Sequence, residues 1–375
     1  MNYKLDTSGK DCPIPLMELK KSLIVLGLAA SLFMGAYSSI SADCKTGNSS
    51  TTVAKPAAEK DKLVKDSQEV TDNTYFVNAK WVKDQIKNNP KTVVLSVAYG
   101  KVPGFSKGHV PTAMQFSTNN IESEKNHWNI LSPEACRKAF TKYGVTKDTN
   151  LIVYSPDVMA ASRVAFVAYW LGVKDVKIMD GGLQAWKNAG YSLEKKSTEP
   201  KKVDSFGTDK VAHPEVLIST PNDLLKDEKA NKDMVLVSTR SKKEYMGNIS
   251  GYNYIKNTGE VKGAVYGKIS KTSGDVAYLT NDDKTMKNPA EELKYWKDHG
   301  ITPDKEVVFY CGTGWRATAA FFLAKEEGYN NVKIYDGGWY DWDKSHQKDP
   351  EKYPVQKGTP GTSSYKVYAG NEASR

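Results

Sequence analysis

Short apolar runs alternate with longer amphipathic stretches along most of this chain. VVLSV, LIVY and VKIM are separated by stretches such as PEACRKAFTKYG, and MVLVS, EVVFY and VKIY recur later with ATAAFFLAKEEG among them. The short runs are too continuously apolar for a surface helix, so they predict strands buried on both faces, with the stretches between them as covering helices. The alternation therefore predicts an α/β fold of parallel sheets flanked by helices.

The pattern occurs twice. NLIVYSPDVMAASRVAFVAYWLG and EVVFYCGTGWRATAAFFLAKEEG align without a gap at an offset of 156 residues, and the alignment continues through VKIMDGG and VKIYDGG. Tyr154 falls on Tyr310, Gly172 on Gly328, Asp180 on Asp336 and Trp186 on Trp342. Upstream, TVVLSVAYG pairs with DMVLVSTRS and HVPTAM with EVKGAV. Such self-similarity marks two copies of one domain, at about 71–195 and 211–353, joined by a polar basic linker at 196–210. Asp-Gly-Gly reads as a turn, and the tryptophan behind it as core packing. The Gly- and Ser-rich stretch 354–375 reads as a flexible tail.

Ahead of the repeat, Lys20 and Lys21 precede an apolar run at 22–37, which is short for a membrane span of about 20 residues and suits the core of a secretion signal. Residues 1–43 are thus expected to be a signal sequence with an upstream extension, and 44–70 a flexible tether. Cleavage after Ala42 would release the protein, whereas lipid on Cys44, in a pattern similar to bacterial lipoboxes, would anchor it outside the cytoplasmic membrane. Both endings stay open, as does a start at Met17 instead of Met1. Either way an exported protein is expected, periplasmic or membrane-tethered.

Composition narrows the chemistry. A formal charge of +9 across 375 residues raises the prospect of an anionic partner, but the lysines are interspersed with acids and form no Arg-rich block, so no nucleic acid is expected. Four cysteines, at 12, 44, 136 and 311, have neither the density of a disulfide scaffold nor the paired spacing of a zinc site, so no metal is expected. Cys136, inside the helical SPEACRKAF, reads as packing.

Cys311 is different. It follows EVVFY directly and opens CGTGWR, just before a helix-forming run. A loop entering a helix N-terminus turns its N–H groups inward, where they and the helix dipole stabilise a thiolate or a bound anion. Gly312 and Gly314 let such a loop curl into a cradle, Thr313 and Trp315 line it, and Arg316 adds a fixed positive charge. The arrangement predicts a nucleophilic cysteine.

With these residues in hand, 71–353 resembles tandem rhodanese-type sulfurtransferases: an Arg-terminated strand in MVLVSTR, GHVPTA, the cysteine loop, then DGGWYDW. CGTGWR is similar to the loops of thiosulfate and mercaptopyruvate sulfurtransferases, especially of exported rhodanese-like proteins. The resemblance implies two rhodanese-like domains of which only the second is catalytic, in keeping with Ser155 opposite Cys311. It implies a relay in which Cys311 takes the outer sulfur of thiosulfate, mercaptopyruvate or a polysulfide, holds it as a persulfide and yields it to a thiol or cyanide, without a cofactor. It further implies substrate binding by Arg240 and by His109, which crosses from the first domain in mercaptopyruvate enzymes, a donor contact by Thr313, and a pocket reshaped by Trp315. Residues 5–23, with Cys12 in CPIP, resemble the start of small sulfur-carrier proteins. Two other readings stand beside this one. An exported protein could store and pass sulfane sulfur without turnover, and Cys-dependent phosphatases or arsenate reductases share a Cys-loop-Arg cradle, although theirs is one residue longer.

Overall fold

A computed structural model describes residues 55–370. The signal sequence, Cys12, Met17 and the proposed lipid site Cys44 lie outside the described residues. In the first repeat the strands are β1 (Phe76–Val77), β2 (Thr92–Ala98), β3 (Met114–Ser117), β4 (Asn150–Tyr154) and β5 (Asp175–Met179), with helices α1 (Ala79–Asn88), α2 (Pro133–Thr141), α3 (Val158–Leu171) and α4 (Gly182–Asn188). All pairings are parallel, in the order β1-β5-β4-β2-β3. The second repeat supplies β6 (Leu217–Ile218), β7 (Met234–Ser238), β8 (Glu260–Val261), β9 (Val265–Tyr266), β10 (Glu306–Tyr310) and β11 (Val332–Tyr335). Its helices are α5 (Pro221–Ala230), α6 (Lys242–Tyr245), α7 (Ala290–Asp298), α8 (Trp315–Glu326) and α9 (Gly338–Lys348). Here the parallel order is β6-β11-β10-β7-β9. The two tandem α/β domains expected from the repeat are present.

Local chemistry sets the helix starts. Asn78 accepts from the Trp81 N–H at 2.8 Å, while Ser132 and Thr220 cap helices whose first residue is proline, the position where a missing N–H costs nothing. Ser241 and Glu244 close a reciprocal capping box on α6. In contrast to these amphipathic helices, α3 and α8 are apolar nearly all round, because they pack against each other between the domains, with Phe166 and Phe321 edge to face at 5.0 Å. A single apolar core consequently runs through both repeats and fixes one against the other.

Three segments depart from the sequence reading. The tail expected to be flexible from 354 forms β12 (Val355–Lys357), antiparallel to β8, and β13 (Lys366–Tyr368) beside it. Val355 is buried there, and the Gln356 amide donates to the Ala264 carbonyl at 2.9 Å, so its Gly and Ser residues make turns within a third small sheet. The tether expected at 44–70 is likewise docked where it is described: the Ala57 N–H donates to Asp283, the Leu63 N–H to the Met286 carbonyl, and Val64 is buried. Phe206 in the linker sinks into the first domain, and its carbonyl accepts the Lys147 N–H.

Candidate active site

Strand β10 lies between β11 and β7, in the middle of its sheet, and delivers Cys311 from its C-terminal end into the loop that starts α8. Cys311 is 2% exposed, and the loop is held from outside by the Trp339 N–H on the Cys311 carbonyl (2.8 Å) and the Tyr340 N–H on the Gly312 carbonyl (3.1 Å). Gly314 is left-handed (φ 88°), and a Cβ there would stand 2.5 Å from Arg163 Nη1. At Gly312 a Cβ would stand 2.2 Å from the Tyr252 ring. No side chain caps α8, so its first N–H groups stay available to an anion at the cysteine.

Tyr252 and Tyr254, in the stretch between α6 and β8, cover the loop, and the sequence reading missed both. The Gly312 N–H donates to the Tyr252 hydroxyl at 2.9 Å, the Arg316 guanidinium also bonds that hydroxyl, and the Tyr254 hydroxyl meets the side chain of Thr313. Burial raises both phenols and outweighs the pull of the Arg316 guanidinium, which keeps them as neutral hydrogen-bonding groups.

Arg316 makes a bidentate pair with Glu244, both contacts at 2.9 Å. Burial alone would raise the Glu244 carboxyl, but the guanidinium of Arg316, helped by Arg240, holds it down at about 2. The fixed charge expected to hold a substrate oxyanion is thus largely neutralised by a carboxylate. Arg240 is also corrected. It is fully buried and donates to the Gly259 carbonyl (2.6 Å), Glu260 (2.7 Å), the Ser250 carbonyl (2.8 Å) and Glu244 (3.4 Å), leaving it as the brace of the tyrosine-bearing loop and not a substrate ligand.

His109 stays within the first domain. Its ring stacks on Phe105 at 3.7 Å, its Nδ1 hydrogen-bonds the Phe105 carbonyl at 2.9 Å, and no hydrogen bond among the described residues joins it to 311–316. Trp315 does not line an open pocket. Its indole N–H donates to Glu122 of the first domain at 2.9 and 3.0 Å. Arg163, on α3, joins that carboxylate (3.0 Å) to Asp336 (2.6 Å) of the Asp-Gly-Gly turn. The first domain thereby fastens the cysteine loop from behind. Cys136 is buried, its thiol pushed up to about 12 chiefly by desolvation, consistent with packing.

The rhodanese-like domain family matches residues 78–189 and 221–345. This chain belongs to the rhodanese family. It is a tandem-domain rhodanese sulfurtransferase, similar to the thiosulfate sulfurtransferase YnjE of Escherichia coli (38% identity over 274 residues, 73% of this chain). The chain spans 61% of that relative's length. A putative thiosulfate sulfurtransferase of Saccharopolyspora erythraea is 26% identical, with 71% of this chain and 92% of the relative covered. Among solved structures, the anaerobic ergothioneine biosynthesis enzyme of Chlorobium limicola, in complex with trimethyl histidine, superposes with a TM-score of 0.71 at 32% identity, over 77% of this chain and 71% of that one. Structures named for the enzyme EanB match equally well, and one holds a cysteine persulfide in a complex with ergothioneine. The tyrosine, cysteine and threonine substituted among these structures have the spacing along their chain that Tyr252, Cys311 and Thr313 have in this rhodanese.

Proposed function

We propose that this rhodanese moves sulfane sulfur from thiosulfate, or a related donor such as mercaptopyruvate or a polysulfide, to a nucleophilic acceptor through a persulfide on Cys311. The observation that carries the reading is the nucleophile's seat: Cys311 at a strand end, facing the uncapped N-terminus of a buried helix. Its thiolate attacks the outer sulfur of thiosulfate, the sulfur–sulfur bond of the donor breaks, and sulfite leaves with the bonding electrons. The Thr313 hydroxyl and the uncapped amides at the start of α8 would supply hydrogen bonds to the persulfide charge. Intact mass measurement of the protein after thiosulfate, beside Cys311→Ser, tests this. A gain of about 32 Da, one sulfur, that cyanide or a thiol discharges and the substitution abolishes is the expected result for a cysteine nucleophile. Loading with only stoichiometric discharge would favour the storage reading, and no loading from any donor would sink both.

The tyrosine wall favours a second reading of the acceptor. Tyr254 lies 5.4 Å from both Tyr252 and Tyr340, and aromatic faces of this kind attract quaternary ammonium groups. A trimethylated imidazole amino acid, as in the complex of the C. limicola enzyme, is therefore an acceptor to assay beside simple thiols. Two cysteines substituted in the EanB structures have Ser238 and Ile269 at the same spacing here, so any such transfer would rely on Cys311 alone. We also propose export, with either cleavage after Ala42 or a lipid on Cys44 at the mature end; the mass of the mature N-terminus from cells tests it.

A further inference from the structure

The residues facing the tyrosine wall from the first domain include one with an unusual backbone. His127 and Trp128 are consecutive, neither is glycine, and both are left-handed (φ 54° and 63°). That conformation is uncommon outside glycine, and it clusters where surrounding structure holds a side chain in a required place. Here it carries the His127 ring across the seam between the domains. Nδ1 of His127 lies 2.7 Å from Asp341 Oδ1, on the first turn of α9, while Asn129 donates to the other carboxylate oxygen at 2.6 Å. A carboxylate can only accept, so the proton of this bond sits on Nδ1, and none of the described residues hydrogen-bonds Nε2. The His127 side chain is 45% exposed, so this nitrogen is open to a ligand.

The ring reaches the cysteine loop through one intervening residue, Tyr340. It stands edge-on to Tyr340 at 5.5 Å, and Tyr340 in turn meets Tyr254 and donates its backbone N–H to the Gly312 carbonyl. We propose that His127, oriented by Asp341, is the base that deprotonates a protic acceptor at the mouth of the Cys311 site. The proposal rests on the persulfide reading given above. In the step, an acceptor thiol R–SH yields its proton to Nε2 and its sulfur bonds the outer sulfur of the Cys311 persulfide. The bond between that sulfur and Cys311 breaks, and its electron pair leaves on Cys311 as a thiolate. The imidazolium then returns the proton to solvent or to the departing persulfide. The sulfane sulfur changes partner with no net oxidation.

Acceptors with and without a proton to lose separate this role from a structural one. The full-length protein is loaded with thiosulfate, freed of sulfite, and discharged in a single turnover at neutral pH either to a simple thiol, mostly protonated there because its pKa is about 8.5, or to sulfite, whose dianion attacks directly. His127→Asn suits the left-handed backbone and removes the base. The expected result is discharge to the thiol about a hundredfold slower, with discharge to sulfite within about twofold of the native rate. Asp341→Asn should slow the thiol step by a smaller factor and likewise spare sulfite. Equal slowing with both acceptors, or no slowing with the thiol, overturns the proposal. If the native protein itself takes up no sulfur, the persulfide reading fails and the proposal with it.

Discussion

The two repeats share a sheet order and a strand-loop-helix at the same place, yet only one keeps its helix end open. In the second, Cys311 leads to a loop of glycines and α8 starts without a side-chain cap. In the first, Ser155 stands at the cysteine position, its hydroxyl accepting the Ala161 N–H at 3.0 Å, and Asp157 caps α3 by accepting the Met159 N–H at 2.9 Å. The first copy therefore carries its own anion where the second leaves room for a sulfur. A serine at the cysteine position and a filled cradle occur together in the first copy. The largest expected effect tests this pairing. Ser155→Cys alone should take up no sulfur from thiosulfate in a Cys311→Ala background, because Asp157 repels a second anion there. Adding Asp157→Gly should allow a detectable mass gain on the new cysteine, whereas loading by the single exchange would show that the filled cradle is no obstacle.

A second contrast lies at the seam. Each Asp-Gly-Gly aspartate reaches into the opposite domain: Asp180 accepts the Met286 N–H at 2.8 Å, and Asp336 accepts the Ile130 N–H at 2.7 Å, the donors being related by the same 156-residue offset. Only the side of the cysteine loop adds the Arg163 ion network, since Arg163 of the first copy corresponds to Ala319 in the second. Burial pushes the Glu122 carboxyl up to about 7 even though Arg163 pulls it down. Replacing Arg163 by Met would strand two buried carboxyl groups, at an expected cost of about 3–5 kcal/mol in urea denaturation. A loss below about 1 kcal/mol would mean that the network contributes little to holding the loop.

On the other side no arginine offsets burial, and Asp180 is pushed up to about 7. A folded-state pKa above the ordinary carboxylate value means the folded protein binds the extra proton between the two. The contribution is then fully present below about pH 4 and lost as pH rises toward 7. Asp180→Asn keeps an oxygen for the Met286 N–H, so it should flatten the stability profile across that window by a few kcal/mol. An unchanged profile would place the titration elsewhere.

The repeat, the sheet class and the seat of Cys311 at a strand end before a helix were legible because each is written in contiguous residues: apolar runs of strand length, an ungapped self-alignment, and CGTGWR between a strand and a helix. Partnerships between distant segments were not. Arg316 was read as a free charge because Glu244, which neutralises it, lies 72 residues away, and Trp315 was read as a pocket wall because its acceptor, Glu122, belongs to the other domain. A local cue did exist for Glu244, since Ser241-Lys-Lys-Glu244 has capping-box spacing. For Tyr252 the only cue was an aromatic pair in a stretch rich in Gly and Asn. The 354–368 strands were missed because turn residues and disorder share a composition, and it is pairing with distant residues, as of Val355 with Val261, that distinguishes them.

The smallest expected effect concerns His109, which the family resemblance placed in the site and which hydrogen-bonds and stacks on Phe105 of its own domain. Its ring is buried against Phe105, with one nitrogen on the Phe105 carbonyl and Nε2 without a partner. His109→Gln preserves a donor for that carbonyl but sacrifices the stacking, so a stability loss of about 0.5–1.5 kcal/mol is expected. Sulfur loading from thiosulfate and from mercaptopyruvate should keep the native rate and the native dependence on donor concentration. A rise of about tenfold in the donor concentration needed, about 1.4 kcal/mol of lost binding, would return His109 to the substrate and make the first domain a partner in donor recognition.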